Sequence, residues 1–159
     1  MSKTLRVGVM GCGNISTTYF KLAPLFRGME ITACADLNAS MAEAKAKEYG
    51  IKAMSPKQML QSPDIDIIVN LTVPDAHFKV SMEAVKAGKH VYSEKPLTLS
   101  LADGLALARA ASVKKVKVCC APDTILGGAH QLARKAIDDG VIGKITSGTA
   151  VIMSHGMEH

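Results

Sequence analysis

Near its start the chain runs from a short apolar segment, Leu5-Arg6-Val7-Gly8-Val9-Met10, straight into Gly11-Cys12-Gly13-Asn14-Ile15-Ser16. Few local sequences restrict a backbone more. The first glycine permits a tight turn, and the second lets a foreign group come close to the main chain. The third position of the pattern must be small enough for a helix to pack closely on the strand before it. Ser16 occupies that third place, and its size is compatible with the packing. The helix that follows presents free N–H groups and the positive end of its dipole to whatever lies over the turn.

The rest of the chain repeats the alternation of strand and helix. Glu30 to Ala35 reads as a second strand, and Asn38 or Ser40 caps a helix that runs to Tyr49 and stops at Gly50. Ile51 to Met54 is a third, short strand. Ser55-Pro56-Lys57-Gln58 combines a capping-box spacing with proline at the first helical position. Ile65 to Leu71 is a nearly continuous apolar strand, as expected when both faces of a sheet are covered. A helix over 75–87 ends at Gly88, His90 to Glu94 is strand, Ser100 to Lys114 is helix, and Lys115 to Cys120 is a sixth strand. Such alternation predicts right-handed crossovers and an α/β fold built on a doubly wound parallel sheet over residues 1–121, for which a dinucleotide-binding order of 3-2-1-4-5-6 is expected.

After residue 121 the texture changes. Ile125, Leu126, Ala129, Leu132, Ala133, Ala136 and Ile137 fall at helical spacing, and Ile145 to Met153 reads as a longer strand. A lone strand needs partners to be stable, so residues 122–159 are expected to begin a second domain that this sequence does not complete.

Composition excludes several classes. Charged residues make up 21% and hydrophobic ones 48%, which argues against disorder and fibrous repeats. The net charge of +5 is spread along the chain, and its densest run, Lys114-Lys115-Val116-Lys117, lies where cations favour a helix C-terminus. No nucleic-acid partner is therefore required. No apolar run approaches the ~18 residues of a membrane span, nor does the N-terminus hold the apolar core of at least ~7 residues of a secretory signal. Four cysteines, Cys12, Cys34, Cys119 and Cys120, lack any C-x-x-C spacing and read as reduced thiols of a cytoplasmic protein.

Three places carry candidate chemistry. Asp36 lies twenty residues beyond Ser16 at the end of the second strand, where a carboxylate accepts hydrogen bonds from an adenosine ribose and repels a 2′-phosphate. NAD is thus favoured over NADP, although glycines serving only as a turn and Asp36 only as a helix cap would leave the same trace. Leu71-Thr72-Val73-Pro74-Asp75-Ala76-His77 follows the fourth strand, at the switch in strand order where ligands bind; His77 either contacts a ligand or packs its helix. Glu94-Lys95-Pro96 ends the fifth strand. A lysine there can hydrogen-bond a substrate hydroxyl and stabilise charge as a proton leaves, with Glu94 holding it in place; a surface ion pair is the plain alternative.

Taken together, GCGNIS, Asp36, TVPxxxH, GKHVYSEKPL and ILGGAHQLARKAIDDGVIGK make the chain resemble the Gfo/Idh/MocA family of nicotinamide-dependent oxidoreductases along its whole length. The resemblance implies an N-terminal Rossmann domain and a second α/β domain with a large, mostly antiparallel sheet that completes the substrate site and makes the oligomer interface. It implies that Lys95 contacts substrate and cofactor. It also implies that Gly11, Cys12, Gly13, Asn14, Ile15, Asp36, Thr72, Pro74, His77 and Glu94 line a bound NAD. Expected partners are this dinucleotide, a sugar, inositol or related polyol, and further copies of the full-length chain, with neither nucleic acid nor membrane. The family's histidine acid/base lies past residue 159, so the 159-residue chain is expected to bind cofactor without turnover. Two other readings stand beside this one: an NAD(H)-sensing module without catalysis, and a methyltransferase, which leaves the Glu94-Lys95-Pro96 run unexplained. His155-Gly156-Met157-Glu158-His159 matches a zinc pattern by spelling, but a glycine interrupts it, and no metal site is expected.

Overall fold

The computed structural model describes residues 4–151 and residue 153. The chain divides into two compact units, one ending at Pro122 and the other starting at Asp123. The first is a six-stranded sheet of β1 (Leu5–Met10), β2 (Met29–Ala35), β3 (Lys52–Met54), β4 (Ile67–Asn70), β5 (His90–Ser93) and β6 (Val118–Cys120). Its order is β3-β2-β1-β4-β5-β6, and every pair is parallel. This is the expected order, with its reversal between β1 and β4.

The connecting helices are α1 (Asn14–Leu22), α2 (Ala39–Tyr49), α3 (Pro56–Gln61), α4 (Pro74–Lys86) and α5 (Leu101–Lys114). Their ends follow the local chemistry. The Asn38 side chain accepts from Ser40 N at the start of α2, and Gly50 closes that helix at φ +68°. Ser55 and Gln58 form a reciprocal capping box on α3, with Pro56 at the first helical position. Ser100 caps α5 by accepting from Asp103 N, and Lys115 takes the left-handed stop at φ +56°. Helix α1 stops at Leu22. Pro24 follows it, and a proline N has no hydrogen to continue an α-helical ladder, so Ala23–Leu25 form a 3-10 turn instead.

Side chains alternate across the strands and build a core on each face. On one face Val7, Val9, Cys34 and Val69 pack with Phe20 of α1 and with Ala42 and Ala46 of α2. The Phe20 and Tyr49 rings stack there with centroids 4.8 Å apart. On the other face Met10, Ala33, Ala35, Ile68 and Val91 meet Met59 of α3, Ala84 and Val85 of α4, and Leu107 and Ala111 of α5. The near absence of aromatic bulk is matched by small residues at the contacts. A Cβ on Gly8 would stand 2.7 Å from the Met59 sulfur, so any side chain there would require Met59 to move.

The second unit comprises a 3-10 turn (Asp123–Leu126), α6 (Gly128–Asp138) and a turn with positive φ at Gly140 and Gly143. Residues 145–151 form no strand, contrary to the reading of Ile145 to Met153. A strand takes its hydrogen bonds from a neighbour, and this unit has no other strand among the described residues. Ile152 and the run His155 to His159 lie outside the described residues. Among the described residues no helix is long and apolar enough to cross a membrane, and no group of three or more His, Cys, Asp or Glu is disposed to hold a metal.

Candidate dinucleotide site

Because all six strands run the same way, the turns after β1, β2, β4 and β5 gather on one edge of the sheet. The turn after β1 is pressed onto the turn after β4. Gly11 has φ +98°, and a Cβ there would meet the Leu71 carbonyl carbon and oxygen at 2.6 Å. Its N–H donates to Ala35 O at 2.9 Å, which ties it to β2 as well. Gly13 is different. It is the N-cap of α1, with no side-chain cap, and a Cβ built on it meets no protein atom within 4 Å. Packing inside the protein therefore asks for glycine at 11, whereas at 13 the absent side chain keeps an outward face open over the helix N-terminus.

Ser16 is fully buried, and its hydroxyl donates to Gly13 O at 2.6 Å. The substitution for the third glycine thus adds a bond that fixes the turn. Asn14 and Ile15 are exposed beside it. Cys12 points inward: its sulfur lies 3.6 Å from Ala35 O, next to the Cys34 thiol. The hydrogen bond shared with Cys34, together with burial, pushes the Cys12 thiol above its ordinary range. The Cys12 N–H is also engaged, donating to Asp36 Oδ2 at 2.8 Å. Cys12 accordingly shapes the turn and has no free N–H for a ligand. Asp36 accepts a second bond, from Asn38 N to Oδ1 at 2.9 Å, so this partly exposed carboxylate is held at the tip of β2.

Asn70, the last residue of β4, is fully buried and organises the next turn. Its amide donates to His77 O and Ser81 Oγ, each at 3.0 Å, while its Oδ1 accepts from Thr72 N at 3.2 Å and Thr72 Oγ1 at 2.7 Å. Val73 and Pro74 project into solvent from this turn. His77 does not. It is 1% exposed, and its Nδ1 and Nε2 lie 2.6 Å from Pro96 O and 2.8 Å from Thr72 O. The expectation that His77 lines a cofactor is corrected on this point: both ring nitrogens face main-chain carbonyls.

Glu94 follows β5, with its N–H on Asn70 O at 2.9 Å. Its carboxylate accepts from the Tyr19 phenol at 2.9 Å through one oxygen and from Lys95 N at 2.9 Å through the other. Glu94 therefore does hold Lys95, but by the backbone. Among the described residues the Lys95 ammonium makes no ion pair with it and is exposed. The Lys95–Pro96 peptide is cis.

Two residues that build this edge were not singled out from the sequence. Asn70 carries a signal, since it is a polar residue closing an otherwise apolar strand. Tyr19 carries a weaker one, four residues after Ile15 on the same face of α1.

A parallel sheet of this order, with a glycine turn opening onto a helix N-terminus and a carboxylate at the tip of the second strand, is a Rossmann dinucleotide-binding domain. Residues 5–121 match the Gfo/Idh/MocA model, described as an oxidoreductase family with an NAD-binding Rossmann fold, and the chain belongs to that family. It is 32% identical over 149 residues to the NAD(+)-dependent scyllo-inositol 2-dehydrogenase of Bacillus subtilis, covering 91% of this chain and 43% of that protein. It is 30% identical over 142 residues to the inositol 2-dehydrogenase of Rhizobium meliloti, covering 89% and 43%. The structure of the WlbA dehydrogenase from Bordetella pertussis in complex with NADH and UDP-GlcNAcA superposes with a TM-score of 0.84 at 27% identity, covering 91% of this chain and 42% of that one. The chain thus spans less than half the length of the relatives it matches.

Proposed function

We propose that the chain is the cofactor-binding portion of an NAD-dependent oxidoreductase that acts on a sugar, an inositol or a related polyol. The observation that carries this reading is the contrast between the two glycines: Gly11 is demanded by the fold and Gly13 only by what lies outside it. Gly13, Asn14 and Ile15 at the N-terminus of α1 would hold a pyrophosphate, and Asp36 an adenosine ribose. Thr72, Val73 and Pro74 would border the nicotinamide half, with Lys95 beside the reacting carbon. When bound, the nicotinamide ring supplies the hydride acceptor or donor.

The protein's own part is to bind, orient and manage a proton. The Lys95 ammonium is a donor on a flexible stem. Set next to a substrate hydroxyl, it stabilises charge on that oxygen as the proton leaves. An oxidoreductase of this kind also needs a positioned group to take the proton, and this reading looks for it outside the dinucleotide domain. In this reading residues 122–159 open the substrate domain. That fits the second unit, in which α6 buries none of its own residues and Leu132, Val141, Ile142 and Ile145 are exposed.

The test is a fluorescence titration of the 159-residue chain with NADH, NADPH and ADP-ribose, alongside a turnover assay with NAD and inositols. Saturable NADH binding, tighter than NADPH and without turnover, is the expected result. Absence of any dinucleotide binding by the folded chain would overturn the reading.

A further inference from the structure

We propose that His77 is a positioning residue that sets where Lys95 sits and does not itself touch the cofactor; this rests on the reading above for what Lys95 does. The ring is 1% exposed and bridges two turns, with one nitrogen 2.6 Å from Pro96 O and the other 2.8 Å from Thr72 O. Pro96 carries no N–H of its own, so this segment cannot anchor itself by donating at that residue. Lys95 is instead held from both sides. Its N–H is fixed by Glu94 Oε2 on one side, and the carbonyl of the next residue is fixed by His77 on the other.

His77 is well placed to act as that fixed point. It lies in the first turn of α4, and its own carbonyl accepts from the buried Asn70 amide at 3.0 Å. The same Asn70 shapes the Thr72 turn through Thr72 N and Oγ1. Strand β4, its turn, the ring of His77 and the Lys95–Pro96 segment therefore form one hydrogen-bonded frame. Removing the ring takes away the N–H that an imidazole can direct at one of these carbonyls and frees the chain on the far side of Lys95.

The experiment uses the 15N-labelled full chain as wild type, His77→Ala and His77→Gln, with NADH and ADP-ribose as probes. In the wild type, the His77 ring nitrogen signals should stay in place as NADH is added. In His77→Ala, the amide signals of Lys95 and Leu97 should move even without ligand, while those of Gly11 and Gly13 hold. NADH should then bind about tenfold more weakly and ADP-ribose, which lacks the nicotinamide, within about twofold of wild type. His77→Gln retains an N–H donor and should recover part of the loss; it is also the variant to use if the alanine chain fails to fold.

Movement of the ring signals on NADH binding would overturn the proposal in favour of a direct contact. Equal weakening of NADH and ADP-ribose would reduce His77 to general support of the fold. Unmoved Lys95 and Leu97 amides would remove the clamp itself. Failure of the wild type to bind NADH would instead strike the proposed function, and the ligand-free amide shifts would still decide the clamp.

Discussion

The phenol of Tyr19 donates to Glu94 Oε1 at 2.9 Å and so joins the helix behind the glycine turn to the loop that carries Lys95. The other oxygen of the same carboxylate holds Lys95 N. Two segments 75 residues apart in sequence are thereby linked through a single side chain. Tyr19→Phe keeps the ring in the core and removes only the donor. It should destabilise the chain by about 1 kcal/mol, the size of one hydrogen bond to a charged acceptor that is partly open to water. Urea unfolding measures this, and the Lys95 amide signal should shift with it. An unmoved amide would mean that Glu94 holds Lys95 without help from Tyr19.

The two glycines of the turn should separate cleanly. Gly11→Ala forces a Cβ to within 2.6 Å of the Leu71 carbonyl and takes an L-residue to φ +98°, so the variant should lose several kcal/mol or fail to fold. At Gly13 the backbone sits at φ −72° and ψ −169°, which any residue adopts, and a Cβ meets nothing. Gly13→Val should therefore unfold within about 0.5 kcal/mol of wild type and yet lose at least tenfold in NADH affinity. Thermal unfolding and the NADH titration together decide it; retained NADH binding would show that the open face at Gly13 is not where the dinucleotide lies.

The fold was legible because every element type carried its own punctuation. Asn38, Ser55 and Ser100 cap helices where they stand in the sequence, Gly50 stops one, and parallel pairing follows from the alternation of strand and helix. The strand misread over 145–153 had the composition of a strand, but hydrogen-bonded neighbours are not a property of composition. At the site, main-chain roles were the part that could not be read. Glycine spacing pointed to the turn, and Asp36 to the tip of β2. That the Cys12 N–H is taken by Asp36, or that Glu94 holds Lys95 by its backbone, depends on distances between turns far apart in the chain. His77 shows the limit most clearly: a histidine beside a ligand-binding edge has the same spelling whether its ring faces the ligand or two carbonyls.

Asp36 has two duties that substitutions can part. It accepts from Cys12 N and Asn38 N with its two oxygens, and its charge opposes a 2′-phosphate. Asp36→Asn keeps one acceptor oxygen but no charge, so the turn should persist while the preference for NADH over NADPH falls roughly tenfold. Asp36→Ala removes the acceptors too and should weaken NADH and NADPH together by a further factor of about ten. Parallel titrations with both dinucleotides check this. An unchanged NADH-to-NADPH ratio in the asparagine variant would separate Asp36 from cofactor choice.

The four cysteines give a pH-dependent readout of the same edge. Cys12 and Cys34 are fully buried, Cys120 is partly covered with its sulfur 3.8 Å from Glu94 O, and Cys119 is exposed. Burial raises the Cys120 thiol, and the bond to Cys34 with burial raises that of Cys12. A raised folded value means that the native state keeps a proton which the unfolded chain gives up. Stability from these thiols is therefore complete below the unfolded value of about 8.5 and is lost as pH rises through their folded values. Iodoacetamide labelling followed by mass spectrometry should modify Cys119 first, Cys120 only at more alkaline pH, and Cys12 and Cys34 only once the chain unfolds. Labelling of Cys12 in the folded chain near neutral pH would show that the glycine turn opens far more readily than its bonds to Ala35 and Asp36 allow.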